Sequence, residues 1–165
     1  MAGNVHQLSR KEKLRLFSGG LTRLDKALRK FPRKMWTFKP EGSRWSIHEI
    51  LWHLADSEIY TYVRLRYCIA QPGTEVPSWD QEKWAQKTHY QKHDVRQAIG
   101  IIKTMRRANI KMVKKVPAKV WGQGVKHPEF KVTSMEWWVG HIAWHMDHHI
   151  QQMEKRFQEW KSLNR

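Results

Sequence analysis

The stretch that decides the fold runs from Trp45 to Arg66 and reads WSIHEILWHLADSEIYTYVRLR. Ser46 and Glu49 form an S-x-x-E capping box, and the apolar residues on either side of the box occupy the positions of a hydrophobic staple. Beyond the box, apolar residues recur three and four positions apart, as they do on the buried face of a helix. The pattern predicts a long helix from Ser46 to about Ala70.

A second capping box lies upstream, at Ser9 and Glu12, and a stripe of apolar residues follows it. These signals predict a helix from Ser9 to about Lys30, which Pro32 ends because proline has no backbone N–H to donate. Two adjacent glycines, at positions 19 and 20, each cost about 1 kcal/mol in a helix interior and allow a kink there.

Two further helices are predicted downstream. Prolines and a glycine between positions 72 and 77 indicate an irregular connection, through Trp79 and Trp84, that can include one short helical turn. Asp94 is suited to cap a third helix that ends before Pro117. A loop or small hairpin then leads to Thr133, which forms a capping box with Glu136 at the start of a last helix.

Four amphipathic helices of this length predict an all-α protein, a four-helix bundle with a small irregular or hairpin segment between helices 3 and 4. We expect one domain over residues 1–165, because a chain of this length can bury a core without a metal or a disulfide.

Composition narrows the functional class. The sequence has 31 Lys plus Arg against 15 Asp plus Glu, a formal net charge of +16, which is compatible with an anionic partner or with a solvated basic surface. Its one cysteine, Cys68, has no partner for a disulfide and is expected in the core. No apolar run approaches the length of a membrane span or a signal peptide, so we expect a cytoplasmic protein that makes no membrane contact.

Histidines on the last helix point to a metal. His145 and His149 lie four positions apart near the apolar stripe, so their rings can converge on one divalent ion. Met146 stands where a zinc protease of the H-E-x-x-H type has its glutamate, which argues against that enzyme class. His53 lies on the shoulder of its helix, and periodicity alone does not nominate it as a third ligand. Core histidines held by hydrogen bonds remain the alternative.

Four segments together resemble the DinB-like superfamily of metal-binding four-helix bundles, in particular its branch of metal-dependent hydrolases and bacillithiol S-transferases. They are the stretch quoted above, PSWDQEKWA at 77–85, HPEFKVTSMEWW at 127–138 and HIAWHMDHHIQQM at 141–153. The resemblance implies three metal ligands, His53, His145 and His149, with zinc or nickel as the metal. Three protein ligands leave positions open for water or substrate, as in catalytic sites.

The resemblance also implies a reaction class, which is transfer of a low-molecular-weight thiol to a small electrophile or metal-dependent hydrolysis. Asp56, Glu58 and Gln152 are candidates to orient the ligand histidines. Arg64 matches the branch and is a candidate contact for an anionic group of a thiol cosubstrate, although an exposed arginine covering apolar surface is the alternative. Glu58 and Gln152 depart from the branch pattern, which leaves the substrate open.

Two other functions stay open. The third helix carries cations at 103, 107, 111 and 115, with Arg106 and Lys114 beside them, so a nucleic-acid-binding module is a rival hypothesis that predicts steeply salt-dependent binding. The ten tryptophans could line a homodimer interface, and a homodimer is expected whether the protein is an enzyme or a structural protein with a vestigial metal site.

Overall fold

The computed structural model describes residues 5–39 and 44–164. The predicted domain bounds, 1–165, therefore include a few residues outside these ranges. Five helices and two strands follow one another, with short 3₁₀ turns between some of them. Their bounds are α1 (Arg10–Lys30), α2 (Ile47–Ala70), α3 (Gln81–Lys87), α4 (Val95–Val113), β1 (Gly124–His127), β2 (Lys131–Ser134) and α5 (Met135–Leu163).

The four long helices form the predicted bundle. α1 packs mainly against α5, and α2 packs mainly against α4 and also against α5. Around the bundle the order is therefore α1, α5, α2, α4, so that α1 and α2 occupy opposite corners although they follow each other in the chain. This arrangement brings α2 and α5, which carry the candidate histidines, side by side.

The capping signals read from the sequence are present at three of the four long helices. Ser9 and Glu12 form a reciprocal capping box at α1, as do Ser46 and Glu49 at α2, and Asp94 accepts from a backbone amide at the start of α4. Each cap satisfies amides that have no partner within the helix.

The predicted cap of the last helix is wrong by one residue. Ser134, and not Thr133, is the N-cap of α5, and its hydroxyl accepts from the amide of Trp137. Thr133 is held in β2 opposite Val125, and Glu136 instead pairs with cations of α1. Ser134 is itself paired with Gly124 and extended, so the helix cannot begin before Met135 and Ser134 becomes its N-cap.

The glycines of α1 do not interrupt it. The helix continues through both of them, and Gly20 faces side chains from both α4 and α5. A Cβ atom there would lie 2.9 Å from Sδ of Met146 and 3.1 Å from Nη1 of Arg106. The residue therefore permits close packing at the centre of the bundle.

Two apolar clusters fill the bundle, and a polar layer lies between them. In this layer Arg106 donates to both carboxylate oxygens of Glu58, at 2.9 and 3.1 Å, and both side chains are almost completely buried. Arg106 also donates to the backbone oxygen of Phe17 on α1. The ion pair thus joins α1, α2 and α4 just behind the histidines.

The predicted hairpin lies over one end of the bundle. β1 and β2 pair antiparallel, and the backbone of residues 73–76 adds hydrogen bonds to the outer edge of β1. Gly124 is required at its position, because a Cβ atom would lie 2.2 Å from the backbone oxygen of Thr133. The hairpin presents His127 toward α2 and α5. Among the described residues, no helix is both long and apolar enough to cross a membrane.

Candidate metal centre

Three histidines converge between α2 and α5. Nε2 of His145 lies 3.0 Å from Nε2 of His53 and 3.1 Å from Nε2 of His149. One ring nitrogen from each residue lies within 4.8 Å of the other two. Nitrogens bound at about 2.1 Å to one zinc ion are separated by about 3.0–3.6 Å, so the cluster has the dimensions of a metal site. The rings that the sequence singled out are therefore brought together.

The chemistry of the three rings fits a cation. Burial, and next the neighbouring His149, lower the pKa of His53 to about 2, while burial lowers the pKa of His149 to about 4. The pKa of His145 is also well below its ordinary value, chiefly because the ring is buried. All three imidazoles are therefore neutral at pH 7, which is the form that binds metals. Because three nitrogens face one another, a proton or a cation must lie between them.

Gln152 fixes the orientation of His149. Nδ1 of His149 donates to Oε1 of Gln152 at 2.8 Å, which leaves the lone pair on Nε2 aimed at the cluster. The amide nitrogen of Gln152 in turn lies 2.9 Å from Nε2 of His148. This chain of contacts along α5 selects the tautomer of His149 that a metal requires.

The other two orienting candidates have different partners. Asp56 accepts a short hydrogen bond from the hydroxyl of Tyr90, and Glu58 is paired with Arg106. Neither carboxylate is hydrogen-bonded to a histidine of the cluster in the part of the chain that the structure describes. Both contribute instead to packing between α2 and its neighbours.

Aromatic rings enclose His53. Its ring lies 4.8 Å from the Trp45 ring and stacks on Trp79, with centroids 5.3 Å apart and planes 16° apart. Tyr60 stacks on the far side of Trp79 at 5.4 Å. His53 is thereby held between two indoles, and its Nδ1 is buried with no hydrogen-bond partner among the described residues. The connection after α2, predicted only as irregular, thus forms a wall of the site.

A cavity of about 450 Å³ opens onto the cluster. His53 and His145 line it, together with Arg64, His127, His141 and Trp138. This volume suits a small organic molecule. Burial lowers the pKa of His141 to about 4, so that ring is neutral too.

Among these further wall residues, Arg64 is predicted as a candidate contact for an anionic group, and it does line the cavity. Arg64 is only 6% exposed, so the alternative of an exposed arginine is wrong. His141 lies off the centre of its helical stripe, and His127 lies in a hairpin, so neither position showed a periodic signal. Their convergence depends on how the hairpin folds over α2 and α5. Cys68 is fully buried, as expected.

The basic stripe of α4 is narrower than predicted. Arg106 is buried in its ion pair with Glu58, so its assignment to the exposed basic face is wrong. Lys103 pairs with Asp25 at 2.9 Å. Arg107, Lys111 and Lys115 remain exposed.

Known proteins resemble this chain in sequence. A candidate metal-dependent hydrolase of Oceanobacillus iheyensis is 24% identical over 106 residues, which cover 64% of this chain and 61% of that protein. The candidate metal-dependent hydrolase YfiT of Bacillus subtilis is 21% identical over 107 residues, 64% of this chain and 60% of YfiT. The chain thus spans about three fifths of the length of these relatives.

Solved structures share the fold. The structure of YfiT, described as a candidate metal-dependent hydrolase with an unusual four-helix bundle topology, superposes with a TM-score of 0.84 at 16% identity and covers 94% of this chain and 91% of YfiT. A mycothiol-dependent maleylpyruvate isomerase superposes with a TM-score of 0.75 at 10% identity, covering 92% of this chain and 63% of that chain.

A family model also matches most of the chain. Residues 16–153, which include all of α2 and the two cluster histidines of α5, match the DinB superfamily. This chain belongs to the DinB superfamily.

Proposed function

We propose that the protein binds one divalent transition metal, zinc or nickel, through His53, His145 and His149, and uses it to activate a nucleophile toward a small electrophile. The observation that carries the proposal is the convergence of three neutral Nε2 atoms beside a cavity that His53 and His145 line. Three ligands leave coordination positions open on the cavity side, as catalytic sites require and closed structural sites do not.

A bound divalent ion would lower the pKa of a coordinated water or thiol and stabilise negative charge that develops on the substrate. The residues of the chain supply the rest. Gln152 holds His149 in its ligand tautomer. Trp79 and Trp45 keep bulk water from His53. His141 is neutral on the cavity wall, and its ring can hydrogen-bond the nucleophile and orient it, but with a pKa lowered to about 4 it is too weak a base to retain the released proton at pH 7.

Two nucleophiles fit this site. With a low-molecular-weight thiol, sulfur attacks the electrophilic carbon and the leaving group departs, which is an S-transfer. With water in the same position the reaction is a hydrolysis. The curated relatives are candidate metal-dependent hydrolases, and a neighbour in fold is mycothiol-dependent, so both nucleophiles have support among similar proteins.

Paired assays separate the two reactions. The zinc- or nickel-loaded protein is incubated with 1-chloro-2,4-dinitrobenzene at increasing cysteine concentration, and with 4-nitrophenyl acetate without thiol. S-transfer predicts that the rate with 1-chloro-2,4-dinitrobenzene rises with cysteine concentration and gives a thioether product identified by mass. Hydrolysis predicts that only the ester reacts, with release of 4-nitrophenol and acetate in the absence of thiol. His53→Ala should abolish the rate, and His89→Ala, at an exposed histidine, should retain it. Equal rates in both variants would contradict the proposal.

The exposed cations on α4 and just after its end support a second proposal, a nucleic-acid interface. If Arg107, Lys111 and Lys115 neutralise phosphates, binding of a 20-base single strand should weaken steeply between 50 and 200 mM salt. Binding that is undetectable at 50 mM salt would exclude this interface.

A further inference from the structure

The cavity beside the three histidines contains an arginine with no acidic partner. Arg64, on α2, is 6% exposed, and its Nη2 donates to the backbone oxygen of Pro77 at 2.8 Å. Its Nε is buried without a hydrogen-bond partner, and no ion pair between Arg64 and a carboxylate is formed among the described residues. An unpaired charge in a buried position is costly, so a partner for it is expected from outside the chain.

The charge of Arg64 persists at neutral pH. Burial lowers the pKa of Arg64 to about 10, and the nearby Tyr60 and Glu129 partly offset this effect. The guanidinium also lies over the indole of Trp138, at 4.6 Å from the ring centroid, and beside Tyr60 at 4.9 Å. These rings fix the plane of the guanidinium, so its donors are oriented before a ligand arrives.

A second donor faces the same point. The backbone amides of Glu129 and Phe130 both donate to Nδ1 of His127, at 3.2 and 3.4 Å. The neutral ring therefore carries its proton on Nε2. That nitrogen lies 3.0 Å from Nη2 of Arg64, which has only protons to offer. These two N–H groups face each other, and beyond the backbone oxygen of Pro77, which accepts from Nη2 of Arg64, no acceptor for them is found among the described residues.

We propose that Arg64 and His127 form a subsite for a carboxylate group of the small molecule on which the proposed metal site acts. The two oxygens of a carboxylate match the fork of an arginine. Because Arg64 and His127 line the same cavity as His53 and His145, a carboxylate held there directs the rest of the molecule toward the histidines.

The charge balance of the cavity favours a carboxylate over a phosphate. Three acidic residues also line the cavity, Asp80, Glu82 and Glu129. Apart from the histidines, Arg64 is the one basic side chain among the described residues that line it. A monoanion neutralises Arg64, whereas a phosphate dianion would leave a negative charge near three carboxylates. The statement that the bound molecule reacts at the metal rests on the proposed function. The binding of a carboxylate does not, because it can be measured without a metal.

Matched aromatic probes test the subsite. Binding of benzoate, benzamide and phenylphosphonate to the full-length chain is measured by ligand-observed NMR, both zinc-loaded and after chelation. We expect the chelated protein to bind benzoate with a Kd at least about tenfold lower than that for benzamide, which is neutral but of the same shape, or for phenylphosphonate. Equal affinities, undetectable benzoate binding, or tighter binding of phenylphosphonate would overturn the assignment.

Two arginines two residues apart supply the matched variants. Arg64→Gln should raise the Kd for benzoate at least about tenfold and leave that for benzamide within about twofold. Arg66→Gln should change neither, since Arg66 donates to the backbone oxygen of Tyr62, away from the cavity. If Arg64→Gln does not fold, Arg64→Lys decides: it keeps the charge and should retain a preference for benzoate over benzamide. Loss of that preference would overturn the assignment.

Failure of the metal proposal is distinguishable from failure of the subsite. A protein that retains no metal but still prefers benzoate through Arg64 would keep the subsite and refute the metal site. A protein that retains metal but binds benzoate equally with and without Arg64 would keep the metal site and refute the subsite.

Discussion

His53 and His145 lie 92 residues apart in the chain, and their Nε2 atoms lie 3.0 Å apart in the fold. The contact is the point where α2 and α5 approach each other, which they do because α5 lies between α1 and α2 around the bundle. A ligand that binds both rings must therefore also bind both helices. Metal should therefore stabilise the folded protein, by a free energy that rises with the logarithm of the metal concentration once this exceeds Kd.

The contact between Gln152 and His149 should control metal affinity. Gln152→Ala removes the acceptor of His149 Nδ1, so the ring is no longer held in its ligand tautomer. We expect affinity for zinc, measured by competition with a chromophoric chelator, to fall about 10–100-fold. Gln151→Ala changes the exposed neighbour on the same helix and serves as the control. Equal affinity in the two variants would show that Gln152 does not orient His149.

The buried ion pair between Glu58 and Arg106 should be essential for stability. Arg106→Met leaves the Glu58 carboxylate buried and unpaired, so the free energy of unfolding in urea should fall by about 3–5 kcal/mol. The double variant Arg106→Met with Glu58→Leu should recover much of this loss.

An exposed ion pair provides the comparison. Lys30 and Glu154 lie 3.2 Å apart at the surface, so Lys30→Met should change the free energy of unfolding by less than about 1 kcal/mol. A similar loss from Arg106→Met and Lys30→Met would contradict the assigned importance of the buried pair.

The contact of Glu136 with α1 should make stability depend on pH. Burial raises the pKa of this carboxyl, but hydrogen bonds from Lys13 and Arg10 outweigh burial and hold the pKa below its ordinary value of 4.5. Because the pKa is lower in the folded state, the ionised carboxylate stabilises the fold above pH 4.5, and the effect is lost as pH falls through the folded pKa.

Glu136→Gln measures this contribution directly. The difference in free energy of unfolding between the natural protein and the variant should be constant from pH 7 to about pH 5 and shrink as pH falls toward 3. A difference that stays the same down to pH 3 would mean that ionisation of Glu136 does not stabilise the fold.

Cys68 should not react in the folded protein. Burial raises the pKa of its thiol to about 12, and the side chain is fully enclosed. At pH 8 the thiolate is present at only about one part in ten thousand, so Ellman's reagent should detect no thiol until guanidinium unfolds the chain. Rapid reaction of the folded protein would contradict this. An unreactive Cys68 also means that S-transfer assays report on the added thiol alone.

Local signals in the sequence predict most of the fold. The boxes at Ser9 and Ser46 and the cap at Asp94 act within one turn of helix, so neighbouring residues suffice to identify them. Ser134 shows the limit of such signals. Thr133 and Ser134 both have capping side chains, and the pairing of Ser134 with Gly124 across the hairpin, which keeps Ser134 extended, decides that the helix begins after it.

The candidate site likewise contains residues that local sequence patterns identify and residues that only the fold brings together. His145 and His149 are one helical turn apart, so spacing alone pairs them. His53 enters through resemblance to a family, because its position on α2 is not distinctive by itself. The remaining cavity residues converge from three elements: Arg64 from α2, His127 from β1 and His141 from α5. Their convergence could not be predicted from neighbouring residues, because it depends on which helix surfaces the hairpin covers.

Bound metal, measured per chain, tests the central proposal most directly. The purified protein is loaded with zinc or nickel, dialysed and analysed for metal content, alongside a variant in which His53, His145 and His149 are all alanine. A variant with His89 and His93 changed to alanine, both exposed, is the control. Circular dichroism confirms that each variant is helical. We predict about one metal ion per chain in the natural protein and the control, and none in the triple variant. No retained metal in the natural protein, or a full equivalent in the triple variant, would contradict the metal site.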